Sequence, residues 1–207
     1  MPRVILACVL LLCSASAWAG SGSILVLGDS LSAAHAIPTK DGWVSLLADE
    51  LARSDHPVAV INASISGETT AGGLAQLPKL LTEHEPAWVL LELGANDGLR
   101  GLPLAKIESN LRAMIEACQA VGSRVLLIGI ELPVNYGPVY RDGLRALYRA
   151  LATEFKLPLV PFLLEGVALD ADLMLPDGLH PNANGQPKVL ANVWPVLQQA
   201  MAQPARR

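Results

Sequence analysis

The sequence predicts an α/β three-layer sandwich with a mostly parallel five-stranded sheet. Short aliphatic runs alternate with longer segments of helical period, the pattern of a parallel sheet covered by helices on both faces. Each run is apolar throughout, as a strand buried on both sides requires. No repeat, low-complexity tract or linker divides the 207 residues, a length that suits one domain with a sizeable core.

The five runs are residues 24–27, 58–61, 88–93, 125–130 and 159–161. Between them, apolar residues recur at i, i+3, i+4 spacing, first at Trp43, Leu46, Leu47 and Leu51. The second stripe is Ile107, Leu111, Met114, Ile115 and Cys118, and the third is Leu144, Leu147, Tyr148 and Leu151. Each stripe lays one helix face on the sheet. Asp41 is placed to N-cap the first helix, and Pro103 suits the first turn of the second. A last helix is expected from about residue 184 to 201, with Pro187 tolerated near its start and Pro195 kinking it.

Residues 1–19 stand apart. Arg3 opens a basic start, residues 4–12 form an apolar stretch too short to span a bilayer, and Ala17-Trp18-Ala19 is a small-x-small cleavage signal. Together they read as a secretory signal peptide cleaved after Ala19, leaving residues 20–207 as a single domain, periplasmic or secreted. Cys8 and Cys13 leave with the leader, and Leu12 is too bulky for lipoprotein processing at Cys13. Cys118 remains on a helical stripe, where a packed, inert thiol is expected, so the core alone holds the exported chain. The net charge of −4 without a basic patch argues against nucleic acid as a partner. Neither a stable membrane anchor nor an unpartnered apolar helix face is read, and a monomer is expected.

The residues that carry chemistry follow strands. The first run ends in Gly28-Asp29-Ser30, delivering a serine to the rim of the sheet, where open α/β sheets hold their ligands. Alone, this tripeptide is as readily a turn leading into a helix. The far end of the chain supplies Asp177-Gly178-Leu179-His180, in which one tight turn lets the carboxylate and imidazole face the same way. Acyl transfer to a hydroxyl needs a nucleophile, a base, a group that orients the base, and donors for the oxyanion. Ser30, His180 and Asp177 fill the first three roles. The backbone N–H groups of Ser30 and Gly67 and the side-chain amide of Asn96 are the candidate oxyanion donors. Asn96-Asp97-Gly98 alone would read as a turn; its place after the third run makes it part of a site.

Gly28-Asp29-Ser30-Leu31, Gly67, Gly94-x-Asn96-Asp97 and Asp177-x-x-His180 resemble, in this order, the blocks of the GDSL, or SGNH, hydrolase superfamily. Asn62 to Thr69, Glu92 to Gly101 and Leu132-Pro133-x-Asn135-Tyr136-Gly137 are similar to the bacterial periplasmic thioesterase I, lysophospholipase and arylesterase branch. The resemblance implies a flavodoxin-like SGNH hydrolase fold and a metal-independent Ser-Asp-His triad that needs no cofactor. It implies hydrolysis of small-molecule esters, thioesters or lysophospholipids of broad acyl length. It also implies that the segment from Gly98 to Pro103, with Leu99 and Arg100, borders the acyl cleft. Leu102, Leu132 and Tyr136 flank the same loops and are candidates to line it. A carbohydrate acetylesterase on the same fold is the alternative, and a binding protein without turnover is a third reading.

At Ala34-His35, many relatives have glycine followed by an aromatic. Alanine suits a helix, which would turn His35 away from the nucleophile, and His35 has no acid beside it to make it a rival base. His56 and His84 are expected to face solvent, Asp29 and Asp97 to act as hydrogen-bonding scaffolds, and Asp170 and Asp172 to be solvated. The four histidines are scattered along the sequence without a His or Cys cluster, so no metal site is read. No Gly-x-Gly-x-x-Gly follows the first run, which disfavours a dinucleotide fold.

Overall fold

The computed structural model describes residues 22–54 and 57–203. The leader read at residues 1–19, with Cys8 and Cys13, lies outside them, as do the domain start at residue 20 and His56. The strands are β1 (Ile24–Gly28), β2 (Val60–Asn62), β3 (Trp88–Glu92), β4 (Arg124–Ile128) and β5 (Leu159–Val160). Every pairing is parallel, in the order β2-β1-β3-β4-β5, so the sheet is wholly rather than mostly parallel. All residues of β1 and β3 are buried, which is why both read as unbroken apolar runs. The edge strand β2 is only partly covered, and its ladder begins at Val60, two residues later than its apolar run.

Helices α1 (Trp43–Ala52) and α6 (Gln186–Met201) pack together. A second group contains α2 (Thr70–His84), α4 (Leu104–Ala120) and α5 (Pro138–Phe155), and α3 (Ala95–Leu99) is a short turn of helix after β3. The expected stripes are buried except for Leu46, which is half-buried. Burial pushes the Cys118 thiol up to about 12, so the thiolate that reactivity requires does not form near neutral pH. Among the described residues, no helix is long and apolar enough to cross a membrane.

One helix goes unread in the sequence, and three local expectations are corrected. Helix α2 carries Gly72, Gly73 and Pro78, which conceal its period from a sequence reading. Gly73 is needed there, since a Cβ would lie 2.3 Å from Leu93 Cδ1. Asp41 does not cap α1 but closes a 3-10 turn over Thr39–Asp41. The Trp43 N–H at the start of α1 instead donates to Gln186 Oε1 at 2.9 Å, a cap supplied by the far end of the chain. Pro103 stands one residue before α4, and the last helix starts at Gln186.

In this strand order, β1 and β3 are neighbours whose onward connections leave toward opposite edges of the sheet. The crevice above their carboxyl ends is the topological switch point, where open α/β sheets bind ligands.

Candidate active site

The chain leaves β1 through Gly28, where a Cβ would lie 2.6 Å from Glu92 Oε2 and 2.8 Å from Ser32 Oγ. That close approach seats the turn from Gly28 to Ser32, which carries Ser30, against Glu92 at the end of β3. Asp29 is fully buried. Its Oδ1 accepts the Leu31 N–H at 3.0 Å and its Oδ2 accepts from Asn96 Nδ2 at 3.1 Å. Beneath it, Glu92 Oε2 accepts from Ser32 Oγ at 2.7 Å and from the Asp29 N–H at 3.2 Å, while Glu92 Oε1 is buried without a partner. Burial pushes the Asp29 carboxyl up from 3.8 to about 6, against the Leu31 N–H, the His180 charge and the Asn96 bond that favour its anion. Burial and the neighbouring Asp29 charge hold Glu92 well above the usual carboxylate range.

Asp177 and His180 reach the same place from the opposite end of the sequence. Gly178, at φ +66°, turns the chain, and an antiparallel bridge between Met174 and Pro181 closes the base of the loop. Asp177 Oδ1 accepts the N–H groups of Leu179 at 2.9 Å and His180 at 3.0 Å. Its Oδ2 lies 2.7 Å from His180 Nδ1, and His180 Nε2 lies 2.9 Å from Ser30 Oγ. Desolvation is the largest single influence on Asp177 and opposes its ionisation, but the Leu179 N–H, the His180 ring, the His180 N–H and the His180 charge together outweigh it and hold the carboxyl down to about 2. An ionised Asp177 only accepts, so it fixes the proton on Nδ1 and leaves the Nε2 lone pair facing the Ser30 hydroxyl.

Gly67 turns at φ +83° after β2. Among the described residues, the Ser30 and Gly67 N–H groups have no protein acceptor. Asn96 differs: its Nδ2 donates both to Asp29 Oδ2 at 3.1 Å and to the Glu68 carbonyl at 2.9 Å, which engages both amide hydrogens. Asp97 accepts from Thr70 Oγ1 at 2.6 Å and the Thr70 N–H at 2.8 Å, tying α3 to the start of α2 as a scaffold.

A cavity of about 300 Å³ opens beside these groups. Its polar lining is Ser30, His35, Ser66, Gly67, Asn96, Glu131 and His180, and its apolar lining includes Leu31, Leu99, Ile130, Leu132, Pro133, Phe162 and Leu164. Of the residues expected to line the cleft, Leu99 and Leu132 do so. Gly98 stands behind Leu132, where a Cβ would come within 2.8 Å of a Leu132 methyl. Arg100 and Tyr136 lie outside the cavity lining. Arg100 donates to the Gly67 carbonyl at 3.3 Å, and Tyr136 OH donates to the Leu99 carbonyl at 2.9 Å, so each braces a wall. Leu102 also lies outside it, its carbonyl accepting from Tyr140 OH. Sequence reasoning misses Ile130, Phe162 and Leu164, whose signal is their position just past β4 and β5, on the same carboxyl edge.

The segment after Ser30 forms turns rather than the expected helix. Ala34 and Ala36 both take φ +57°, a left-handed backbone that alanine rarely adopts. His35 is therefore not turned away: its ring centroid lies 4.4 Å from that of His180, with the planes tilted by 39°. Hence the histidines are not all scattered in space, and ligand atoms of His35, Asp177 and His180 lie within 4.8 Å of one another. His84 is half-buried at the end of α2, not fully solvent-facing, while Asp170 and Asp172 are exposed.

The model of the GDSL-like lipase/acylhydrolase family matches residues 26–187. The chain is 50% identical to the esterase TesA of Pseudomonas aeruginosa over 180 residues, which cover 87% of this chain and 90% of that protein. It is 45% identical over 169 residues to the thioesterase 1/protease 1/lysophospholipase L1 of Escherichia coli, covering 82% and 80%. The crystal structure of the psychrotrophic esterase EstA from Pseudoalteromonas sp., inhibited by monoethylphosphonate, aligns with a TM-score of 0.84 at 39% identity, covering 88% of this chain and all of that one.

Proposed function

The chain belongs to the GDSL-like lipase/acylhydrolase family, and we propose that it is a metal-independent serine hydrolase that cleaves carboxylic esters and thioesters through an acyl-enzyme on Ser30. The observation that carries this reading is the unbroken line from Asp177 Oδ2 through His180 to Ser30 Oγ, at 2.7 and 2.9 Å. His180 Nε2 takes the hydroxyl proton as Ser30 Oγ attacks the carbonyl carbon, and Asp177 stabilises the resulting imidazolium. The imidazolium then protonates the leaving alcohol or thiol. Water, deprotonated by the same imidazole, hydrolyses the acyl-enzyme.

The oxyanion develops beside the Ser30 and Gly67 N–H groups, whose donors are free to receive it. Asn96 is the third donor, and it must release a hydrogen from Asp29 or from the Glu68 carbonyl as the oxyanion forms. The apolar walls of the cavity favour an acyl chain over a bare acetyl group, each buried methylene contributing about 0.8 kcal/mol. The substrate class is small-molecule esters, thioesters and lysophospholipids. The leader at residues 1–19 directs the enzyme to the periplasm or outside the cell.

The test is fluorophosphonate labelling with peptide mapping, run beside hydrolysis of p-nitrophenyl esters from C2 to C16. The label falls on Ser30, and Ser30→Ala lowers kcat by about 10³-fold or more. Rates that rise beyond acetyl support acyl-chain binding, whereas an acetyl-only profile supports a carbohydrate acetylesterase. Folded protein with neither label nor turnover overturns the hydrolase reading.

A further inference from the structure

His35 is held where a sequence reading does not put it. The residues on both sides of it, Ala34 and Ala36, sit at φ +57°, so the backbone carries strain on either side of one exposed imidazole. That imidazole stands against the His180 ring at 4.4 Å, and with Asp177 the two rings gather three ligand atoms within 4.8 Å. We propose that His35, His180 and Asp177 form a binding site for a divalent transition-metal ion, zinc(II) above all, and that its occupancy silences the nucleophile.

The donor set selects the ion. Two imidazoles and one carboxylate suit zinc, whereas magnesium and calcium take oxygen ligands and bind imidazole poorly. Zinc bonds to nitrogen and oxygen are about 2.0–2.2 Å long, so two ligands of one tetrahedral ion stand about 3.3–3.6 Å apart. The exposed His35 side chain closes the present spacing by rotation, while Asp177 keeps its Oδ1 on the Leu179 and His180 N–H groups and exchanges the His180 contact of Oδ2 for the ion. Water completes the tetrahedron on the cavity side.

The silencing follows from which lone pairs the metal uses. At His180 Nε2 it occupies the pair that accepts the Ser30 proton. At Nδ1 it takes that nitrogen's lone pair, so the ring's one proton sits on Nε2, where it faces Ser30 as a donor and can no longer accept the hydroxyl proton. Either mode removes the general base without any redox or covalent change. The inhibitory consequence rests on the serine-hydrolase reading; metal binding itself rests on the geometry alone. His35 is thus the residue that would make this chain metal-sensitive, because it adds a third ligand to a pair that otherwise offers two.

The experiment titrates zinc sulfate into the untagged protein by calorimetry in a non-coordinating buffer, for the unaltered chain, His35→Phe and Ser30→Ala. Hydrolysis of a p-nitrophenyl ester is followed with zinc and then with excess chelator. One ion binds per chain, inhibition is reversed by the chelator, and His35→Phe weakens both binding and inhibition by about tenfold or more while Ser30→Ala still binds. Phenylalanine keeps a ring against His180, so a lost ligand is separated from lost packing. No zinc uptake, or equal affinity in the unaltered chain and His35→Phe, overturns the proposal. Because calorimetry needs no turnover, its failure is distinct from failure of the hydrolase reading, which Ser30 labelling decides.

Discussion

Asp29 and Asp177 both lie within reach of the Ser30–His180 pair, in opposite surroundings. Asp29 is fully buried and shares its bed with a second carboxyl, Glu92, so burial raises it to about 6. The Asp177 side chain is 40% exposed, and local hydrogen bonds hold it at about 2. Two carboxyls placed for different tasks are set apart by environment. A group that must stay anionic beside an imidazolium is best left partly in water, with N–H donors on its oxygens. A group that must fix the backbone under Ser30 and the amide of Asn96 is best buried. The exposed loop supplies charge; the buried bed supplies position.

The change that would break this contrast most plainly is Asp177→Asn. Asparagine presents an N–H where Oδ2 accepts, which drives the His180 ring to the tautomer with its proton on Nε2, facing Ser30. The expected loss in kcat is about 10⁴-fold. Asparagine Oδ1 can keep the Leu179 and His180 N–H bonds, and solvent screens the lost charge, so unfolding free energy by urea titration should fall by no more than about 1 kcal/mol. A large loss of stability would show that the loop is not the separable element described.

Asp29→Asn has a smaller effect on rate and a distinct effect on stability. The new amide sets a donor against the side chain of Asn96, or rotates and loses the Leu31 N–H, and in either case the proposed third oxyanion donor is misplaced. A fall of roughly 10- to 100-fold in kcat with little change in KM is expected, somewhat below the usual loss of an oxyanion donor, since Asn96 remains present. In the unfolded chain Asp29 titrates near 3.8 and in the folded protein near 6, so the folded state binds the proton more tightly between these values. The stability linked to this group is therefore full below about pH 4, falls as pH rises toward 6, and is flat above. Thermal melts between pH 4 and 6 should show a shallower slope for Asp29→Asn than for the unaltered chain; equal slopes would count against the buried carboxyl.

The same contrast explains how much of the molecule is legible in its sequence. The bed is visible because β1 and β3 are buried on both faces and read as apolar runs ending in Gly-Asp-Ser and Gly-Ala-Asn-Asp. Asp177 and His180 are visible because a one-turn spacing around Gly178 converges two side chains without help from the rest of the fold. The cavity walls are only partly visible. Leu99 and Leu132 follow strands in the blocks that carry the resemblance, but Ile130, Phe162 and Leu164 gain their meaning from the lateral order β3-β4-β5, which a linear reading does not contain. Helix α2 is concealed because its Gly73 serves packing against Leu93. His35 is misplaced by a sequence reading because alanine favours helix, whereas tertiary structure holds Ala34 and Ala36 left-handed.

The smallest expected effect is the finest test of the separable loop. Gly178 turns at φ +66°, and a Cβ added there meets nothing within 4 Å, so Gly178→Ala introduces backbone strain and no clash. Ala34 and Ala36 show that this chain already tolerates alanine in that region. The strain is about 1 kcal/mol, and in an exposed loop it is relieved by local opening rather than by global unfolding. Opening separates His180 from Ser30 for part of the time, so kcat should fall by about two- to fivefold, in proportion to the closed fraction. The melting temperature should move little, and stopped-assay rates should recover at lower temperature as the closed form regains population. A cooperative loss of fold from this one methyl group would mean that the Asp177–His180 turn is tied to the core as tightly as Asp29 is, and the distinction between the two aspartates would then lie in charge alone.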